Sequence, residues 1–326
     1  MLRRRSTFRR EAEGGALPPS SSGPRGPRVM AAAVLACAIF APARALAQAC
    51  CAGSGTVTPA RLAMHEQALA GLTLRGAAVM GSYDPSGHYT KNPARASELD
   101  FEEDLFGAIK VLRRGQLAAF VPVVETRRAA GGTTDFGGGL GDVNVGARYD
   151  FVNTGEYLGA PGVALLAGLT LPTGRAPESA SGPLAADATG TGAVQTNFGV
   201  AFEQTIDDWL FSATTLVALR SPRDVRGVRE RLGLQITELV AAAYSFSAEE
   251  AAGVVVSYTI EDEAVVGGLI APMTARRIAT ISLVGVMGIA DGWRVQGALA
   301  FDPPISGFGK NLPATTGLSI SGIRAF

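Results

Sequence analysis

Between residues 142 and 151 apolar and polar side chains alternate. Val143, Val145, Ala147, Tyr149 and Phe151 share one face, and Asp142, Asn144, Gly146, Arg148 and Asp150 share the other. A strand turns successive side chains to opposite faces, so this period of two predicts a strand with one apolar and one polar or small side. The period recurs where Thr196, Phe198, Val200 and Phe202 alternate with Gln195, Asn197, Gly199, Ala201 and Glu203. It recurs again through Trp209–Leu219, through Val254–Ile260, and where Trp293, Val295, Gly297, Leu299 and Phe301 alternate with Arg294, Gln296, Ala298, Ala300 and Asp302. Marking every such run predicts about 12 strands: 70–82, 101–112, 117–128, 141–152, 162–172, 192–205, 209–220, 232–246, 253–261, 278–289, 293–302 and 315–326. Ten-residue strands exceed the usual five or six and match a tilted bilayer crossing.

The connections alternate strictly between long and short. Short ones fall at 113–116, 153–161, 206–208, 247–252 and 290–292; long ones at 83–100, 129–140, 173–191, 221–231, 262–277 and 303–314. Outer-membrane barrels have tight periplasmic turns and long outer loops, whereas a secreted soluble sandwich has no reason for that alternation. Tyr149, Phe151, Trp209, Phe211, Tyr244, Phe246, Trp293 and Phe326 all fall near the short-turn ends, as an interfacial aromatic girdle requires. The opposite girdle is thin, with Tyr83, Phe101 and Phe301. Only helices and closed barrels satisfy every backbone polar group in lipid, and no run after residue 47 is long and apolar enough for a spanning helix. The expected fold is therefore all-β: a closed antiparallel transmembrane β-barrel.

Two segments strain this pattern. In 232–246, placing Leu232, Leu234, Ile236 and Val240 outward also turns Glu238 to the lipid, and a β-bulge would repair the register. The loop 262–277 carries the apolar run Ala264–Met273. It fits an inward constriction, a lining for entering apolar solutes, or a strand 253–261 that runs on further.

Composition adds an address. The formal net charge is zero, but residues 1–47 hold eight arginines against two acidic residues, while 48–326 hold 21 basic against 27 acidic. Arg25 and Arg28 precede the apolar run Val29–Ala41, and Ala45-Leu46-Ala47 supplies a small-x-small cleavage site before Gln48. The expected organisation is a signal peptide with an extended n-region over 1–47, a periplasmic lead-in over 48–69 and the barrel over 70–326, exported by a Sec-type route to the outer membrane of a Gram-negative bacterium. An acidic mature chain is a poor nucleic-acid partner, since that affinity comes from neutralising phosphates. Expected partners are outer-membrane lipid, a small-molecule solute and the barrel assembly machinery.

Three short motifs punctuate the strands: Gly139-Leu140-Gly141-Asp142, Leu171-Pro172-Thr173-Gly174 and Gly190-Thr191-Gly192. With the strand pattern, over roughly residues 100–326, their order resembles the outer-membrane transporter family of the MetA-pathway-of-phenol-degradation type. That resemblance implies an outer-membrane barrel passing small organic molecules, and it brings no catalytic residues. Physically the motifs suit strand ends: glycine eases tight re-entry, and Pro172 lacks the N–H a central ladder position needs. The terminal Phe326 resembles a barrel assembly signal, from which Arg324 departs.

Candidate chemistry is sparse. The histidines, His65 and His88, have no nucleophile or metal-ligand set at useful spacing, and Gly137-Gly138-Gly139 lacks the helix and lysine of a phosphate loop. No enzyme activity, metal or cofactor is expected. Cys50-Cys51 is a vicinal pair open to a strained disulfide, a metal or two free thiols. The polar strand faces place Asp142, Arg148, Asp150, Gln195, Asn197, Glu203, Arg220, Arg294, Gln296 and Asp302 toward the lumen, because charge facing lipid is costly. Those residues fit either a solute-selecting lining or a satisfied network that stiffens the barrel. The function expected is passage of small solutes, aromatic or apolar ones by resemblance; the alternative is a non-transporting surface barrel whose long loops bind a partner.

Overall fold

The structure is a computed structural model that describes residues 60–157 and 159–326. The expected signal peptide, Cys37, Cys50 and Cys51 lie outside the described residues. Twelve long strands form the wall: β1 (Ala68–Tyr83), β2 (Ser97–Leu112), β3 (Gly115–Ala130), β4 (Val143–Val152), β5 (Gly162–Leu171), β6 (Gln195–Ile206), β7 (Trp209–Arg220), β8 (Gln235–Ser245), β9 (Glu250–Glu261), β10 (Arg276–Ala290), β11 (Trp293–Phe301) and β12 (Pro313–Ala325). Each pairs antiparallel with its neighbours in sequence, and β1 pairs with β12 from Leu69↔Ala325 to Ser82↔Pro313, which closes the barrel. Closure leaves no strand edge to satisfy. With an even strand count, Ala68 and Ala325 lie together at the short-turn end.

The tightest turns show why these residues turn there. Asp291-Gly292 joins β10 to β11 with Gly292 at φ +69°, and a Cβ there would sit 2.7 Å from the Ala325 carbonyl. Glycine takes that positive φ without steric cost. Asp207-Asp208 joins β6 to β7 with Asp207 at φ +51°.

Alternation sets the two faces. Outward positions such as Leu72, Leu105, Ile109, Phe198, Val240, Leu299 and Leu318 are 41–65% exposed. A continuous apolar belt of this kind far exceeds what a soluble surface carries. Glu238 is part of the outward face, between exposed Ile236 and Val240, and β8 keeps an unbroken register with both neighbours, so no bulge occurs. Its carboxylate instead accepts a hydrogen bond from Thr215 Oγ1 of β7 (2.7 Å). Satisfying the carboxylate across the strands removes the need to change register.

The aromatic girdle at the short-turn end forms local groups: Tyr149–Phe151, Trp209–Tyr244 and Tyr244–Phe246 have ring centroids 5.0–5.2 Å apart. Arg324 joins it, its guanidinium 5.5 Å from the Trp293 ring and 5.4 Å from the Phe326 ring, with Nη1 donating to the Asp291 carbonyl. A cation held on ring faces at an interface explains how arginine occupies an apolar position before the terminal aromatic. At the other end Tyr83 is not in the girdle. It is buried, packs on Tyr89 and donates its hydroxyl to the Pro303 carbonyl.

The long connections are structured. Thr133–Leu140 pairs with the outer part of β3, extending that hairpin beyond the point where β4 takes over the pairing. Pro122 sits at the changeover, and its carbonyl accepts from Gly141 N (2.8 Å). A missing N–H is tolerated at such a ladder break. The apolar loop after β9 is neither a constriction nor a longer strand. Val265–Val266 and Leu269–Ile270 form a small hairpin that pairs with Val228–Arg231, leaving Leu269 and Ile270 76% and 67% exposed.

Candidate functional site in the barrel lumen

The interior is divided lengthwise. On β5–β9 an apolar cluster of Ala164, Leu166, Ala201, Leu216, Leu239 and Val255 fills one side of the barrel at mid-height. A polar layer lies toward each end of it. At the short-turn end Arg148 Nη2 lies 3.0 Å from Glu203 Oε1 and 2.8 Å from Asp150 Oδ1. Arg61 pairs with the other Glu203 oxygen, to which Thr154 Oγ1 also donates (2.9 Å). At the long-loop end Arg220 donates to Gln195 (2.7 Å) and to Gln235, with Glu261 at 2.8 Å. Burying these charges is affordable only because each finds an opposite charge and hydrogen bonds.

The rest of the lumen is open. A cavity of about 570 Å³ runs from Ile278, Asp302 and Pro313 at the long-loop end to Val286, Arg294 and Ile323 at the short-turn end. That is within the range of small-molecule sites. Strand β5 contributes nothing to its wall, and β8–β12 contribute most. These strands present small aliphatic side chains (Ala241, Ala243, Ala251, Val284, Ala298, Ala300) and hydroxyls (Thr237, Ser257, Thr259, Thr280, Ser282, Thr315, Ser319, Ser321). Charge enters the wall on β1 and β2, where Arg75 pairs with Glu102 and Asp104 is buried beside them, and at Arg61, Glu203, Arg294 and Asp302. Asp302 is occupied by Thr280 Oγ1 (2.6 Å) and by the Thr315 N–H and hydroxyl (both 2.8 Å). The cavity therefore offers a passing molecule a mostly neutral wall of methyl and hydroxyl groups.

The ten polar residues named from the sequence separate into three groups. Glu203, Arg294, Gln296 and Asp302 line the cavity. Arg148, Asp150, Gln195, Asn197 and Arg220 belong to the filled sector, Asn197 accepting from Gln195 Nε2 (2.9 Å). Asp142 lies at the outer rim, just before β4, where loop backbone surrounds its carboxylate. Alternation alone did not single out Arg75, Glu102, Asp104 or the hydroxyls. The signal for Glu102 and Asp104 is present, since they share a face with Phe106 and Ala108, but Glu103 on the opposite face blurs it.

All three motifs meet at that rim. Asp142 accepts from Gly174 N (3.0 Å), Thr191 N (2.7 Å) and Thr191 Oγ1 (2.9 Å). Thr173 Oγ1 donates to the Gly141 carbonyl (2.6 Å) and accepts from Val143 N (3.0 Å). A Cβ on Gly174 would stand 2.8 Å from Gly190 Cα, so the two ends of the longest loop touch where both lack side chains. The loop is tied further by Asp135, which accepts from Leu184 N (3.0 Å) and Ala186 N (3.2 Å), and by Asp187. The Ser181 hydroxyl and N–H bonds hold the Asp187 carboxyl well below the usual carboxylate range. The motifs are thus architectural, anchoring a loop over one side of the mouth.

Residues 81–268, more than half of the chain, match the family described as "Putative MetA-pathway of phenol degradation". No curated protein matches the chain. Among solved structures, the COG4313 outer membrane channel from Pseudomonas putida F1 aligns at TM-score 0.67 with 13% identity, covering 84% of this chain and 100% of the channel. The transport unit of the autotransporter AIDA-I from Escherichia coli aligns at 0.47 with 8% identity, covering 82% and 93% respectively. A mutant of the TodX monoaromatic hydrocarbon channel aligns at 0.44 with 10% identity, covering 80% and 91%.

Proposed function

Because the chain belongs to the MetA-pathway phenol-degradation family, we propose that its barrel sits in an outer membrane and passes small, neutral, largely apolar solutes, phenol-like aromatics among them. The short turns then face the periplasm and the long loops face outward. The observation that carries this reading is the lengthwise cavity with its wall of small aliphatic and hydroxyl side chains. Methyl groups match an apolar body, and hydroxyls donate to or accept from a single polar substituent. Neither offsets the desolvation of a full charge. The cations along the path, Arg61, Arg75 and Arg294, are each paired with a carboxylate (Glu203, Glu102 and Glu66), so no ring of positive charge is left to select anions.

The test is osmotic swelling of vesicles carrying the folded full chain. Small neutral solutes such as resorcinol are expected to enter faster than singly charged benzoate-type solutes of similar size. Swelling no faster than in protein-free vesicles would sink the proposal. It would favour a surface barrel, whose exposed loop tip at Leu269, Ile270 and Met273 is then the place to look for a partner.

A further inference from the structure

Four carboxylates line the cavity: Glu102, Asp104, Glu203 and Asp302. Three of them are satisfied within the protein. Glu102 pairs with Arg75, Glu203 pairs with Arg61, and Asp302 accepts its three hydrogen bonds from Thr280 and Thr315. Asp104 is the exception. It is 5% exposed, and its Oδ1 is buried with no hydrogen-bond donor among the described residues. A carboxylate buried without a donor is costly, so its presence in a folded wall calls for a physical reason.

The neighbours explain why the protein leaves it unpaired. Across the ladders Asp104 stands opposite Thr73 on β1 and Pro122 on β3. Thr73 Oγ1 is hydrogen-bonded to Ser321 Oγ (2.8 Å), and proline has no polar side-chain atom to offer. Arg75, two residues along β1 from Thr73, is paired with Glu102. The group therefore holds one more carboxylate than cation.

An aromatic shelf lies beside it. Phe106 follows Asp104 on the same face of β2 and stacks with Phe120 of β3, with ring centroids 6.5 Å apart and an interplanar angle of 24°. Opposite Phe106 on β1 is Gly71, where a Cβ would collide with the Phe106 ring, so glycine makes room for it. Both rings line the cavity with Asp104.

We propose that Asp104 and the Phe106–Phe120 shelf form a binding site in the lumen for the ammonium group of a small apolar amine, an arylalkylamine being the class that fits. An ammonium donates hydrogen bonds and brings the charge that Asp104 lacks. The rings receive the apolar body, and their faces also attract a cation. A neutral alcohol of the same skeleton supplies a donor without the charge. The site goes beyond the passage of neutral solutes, and it rests on that reading only in requiring that a solute reach the lumen.

The test is calorimetric titration of the folded full chain in detergent micelles with 2-phenylethylamine and with 2-phenylethanol. The parent is expected to bind the amine at least about tenfold more tightly, the scale of one hydrogen bond to a charged group. Asp104→Asn keeps the side-chain shape and removes the charge, so it is expected to erase that preference, with heat-modifiable migration confirming its fold. The comparison of the two ligands on the parent needs no variant to fold. Equal affinity for amine and alcohol in the parent, or a preference that survives in Asp104→Asn, would overturn the site and leave the passage of neutral solutes standing. A preference that Asp104→Asn erases, in a protein whose vesicles swell in no solute, would support the site and overturn the conduit.

Discussion

Glu203→Ala is expected to lower the unfolding free energy in lipid vesicles by about 3–5 kcal/mol, the scale of a broken buried ion pair. Glu203 lies between two guanidinium groups, Arg148 and Arg61, and its side chain is 5% exposed. Removing it takes away the carboxylate that bridges the two guanidinium groups. Thr154 also loses its acceptor. Glu203→Gln keeps an acceptor for Thr154 while losing the charge, and should fall between the parent and Glu203→Ala. The measurement is urea unfolding followed by Trp209 and Trp293 fluorescence, with heat-modifiable gel migration reporting the folded fraction. A loss under about 1 kcal/mol, the value of an exposed pair, would mean that water reaches these charges and that the sector is not filled. By the same argument, Arg148→Ala and Asp150→Ala should act on stability and leave ion selectivity unchanged.

The second large effect is expected from Asp142→Ala. This carboxylate takes three hydrogen bonds from the two ends of the longest loop, two of them from backbone N–H groups with no other partner among the contacts described. Bonds to a charged acceptor are worth about 1.5–3 kcal/mol each. Losing the acceptor should release the loop 173–194 without unfolding the wall, because none of these bonds is in a barrel ladder. Limited trypsin cleavage at Arg175 in the folded, vesicle-embedded protein should rise at least about tenfold, the minimum for one such bond, while heat-modifiable migration is retained. The contribution of Asp187 to the same loop follows from its depressed pKa. It is present above the ordinary carboxylate value of about 4 and is lost only as pH falls through the lower folded value, so mild acid should leave the loop ordered. Unchanged cleavage in Asp142→Ala would show that Asp135 and Asp187 hold the loop by themselves.

Strand placement followed from alternation because a barrel wall obeys one local rule, apolar out and polar or small in. Trp209–Arg220 coincides with the expected 209–220, and the other strands shift by a few residues at their ends. Alternation fails where the rule is met in another way. Glu238 faces outward because a threonine on the next strand satisfies it, and no local pattern records that partner. Arg324 is accommodated by Trp293, distant in sequence. The division of the lumen was not readable either, since Leu166, Leu239 and Val255 meet only through strands far apart in the chain. Residues 60–66 carry no period because they form no element; only the tertiary structure brings Arg61 to Glu203. Tyr83, expected in the girdle, was misplaced for a related reason: its hydroxyl has a carbonyl partner inside the loop cluster, which a position along the strand does not reveal.

The central claim is that this lumen conducts. Planar-bilayer recording from the full chain, folded and heat-modifiable, tests it most directly. Discrete current steps are expected. Folded barrels that pass no current would contradict the account.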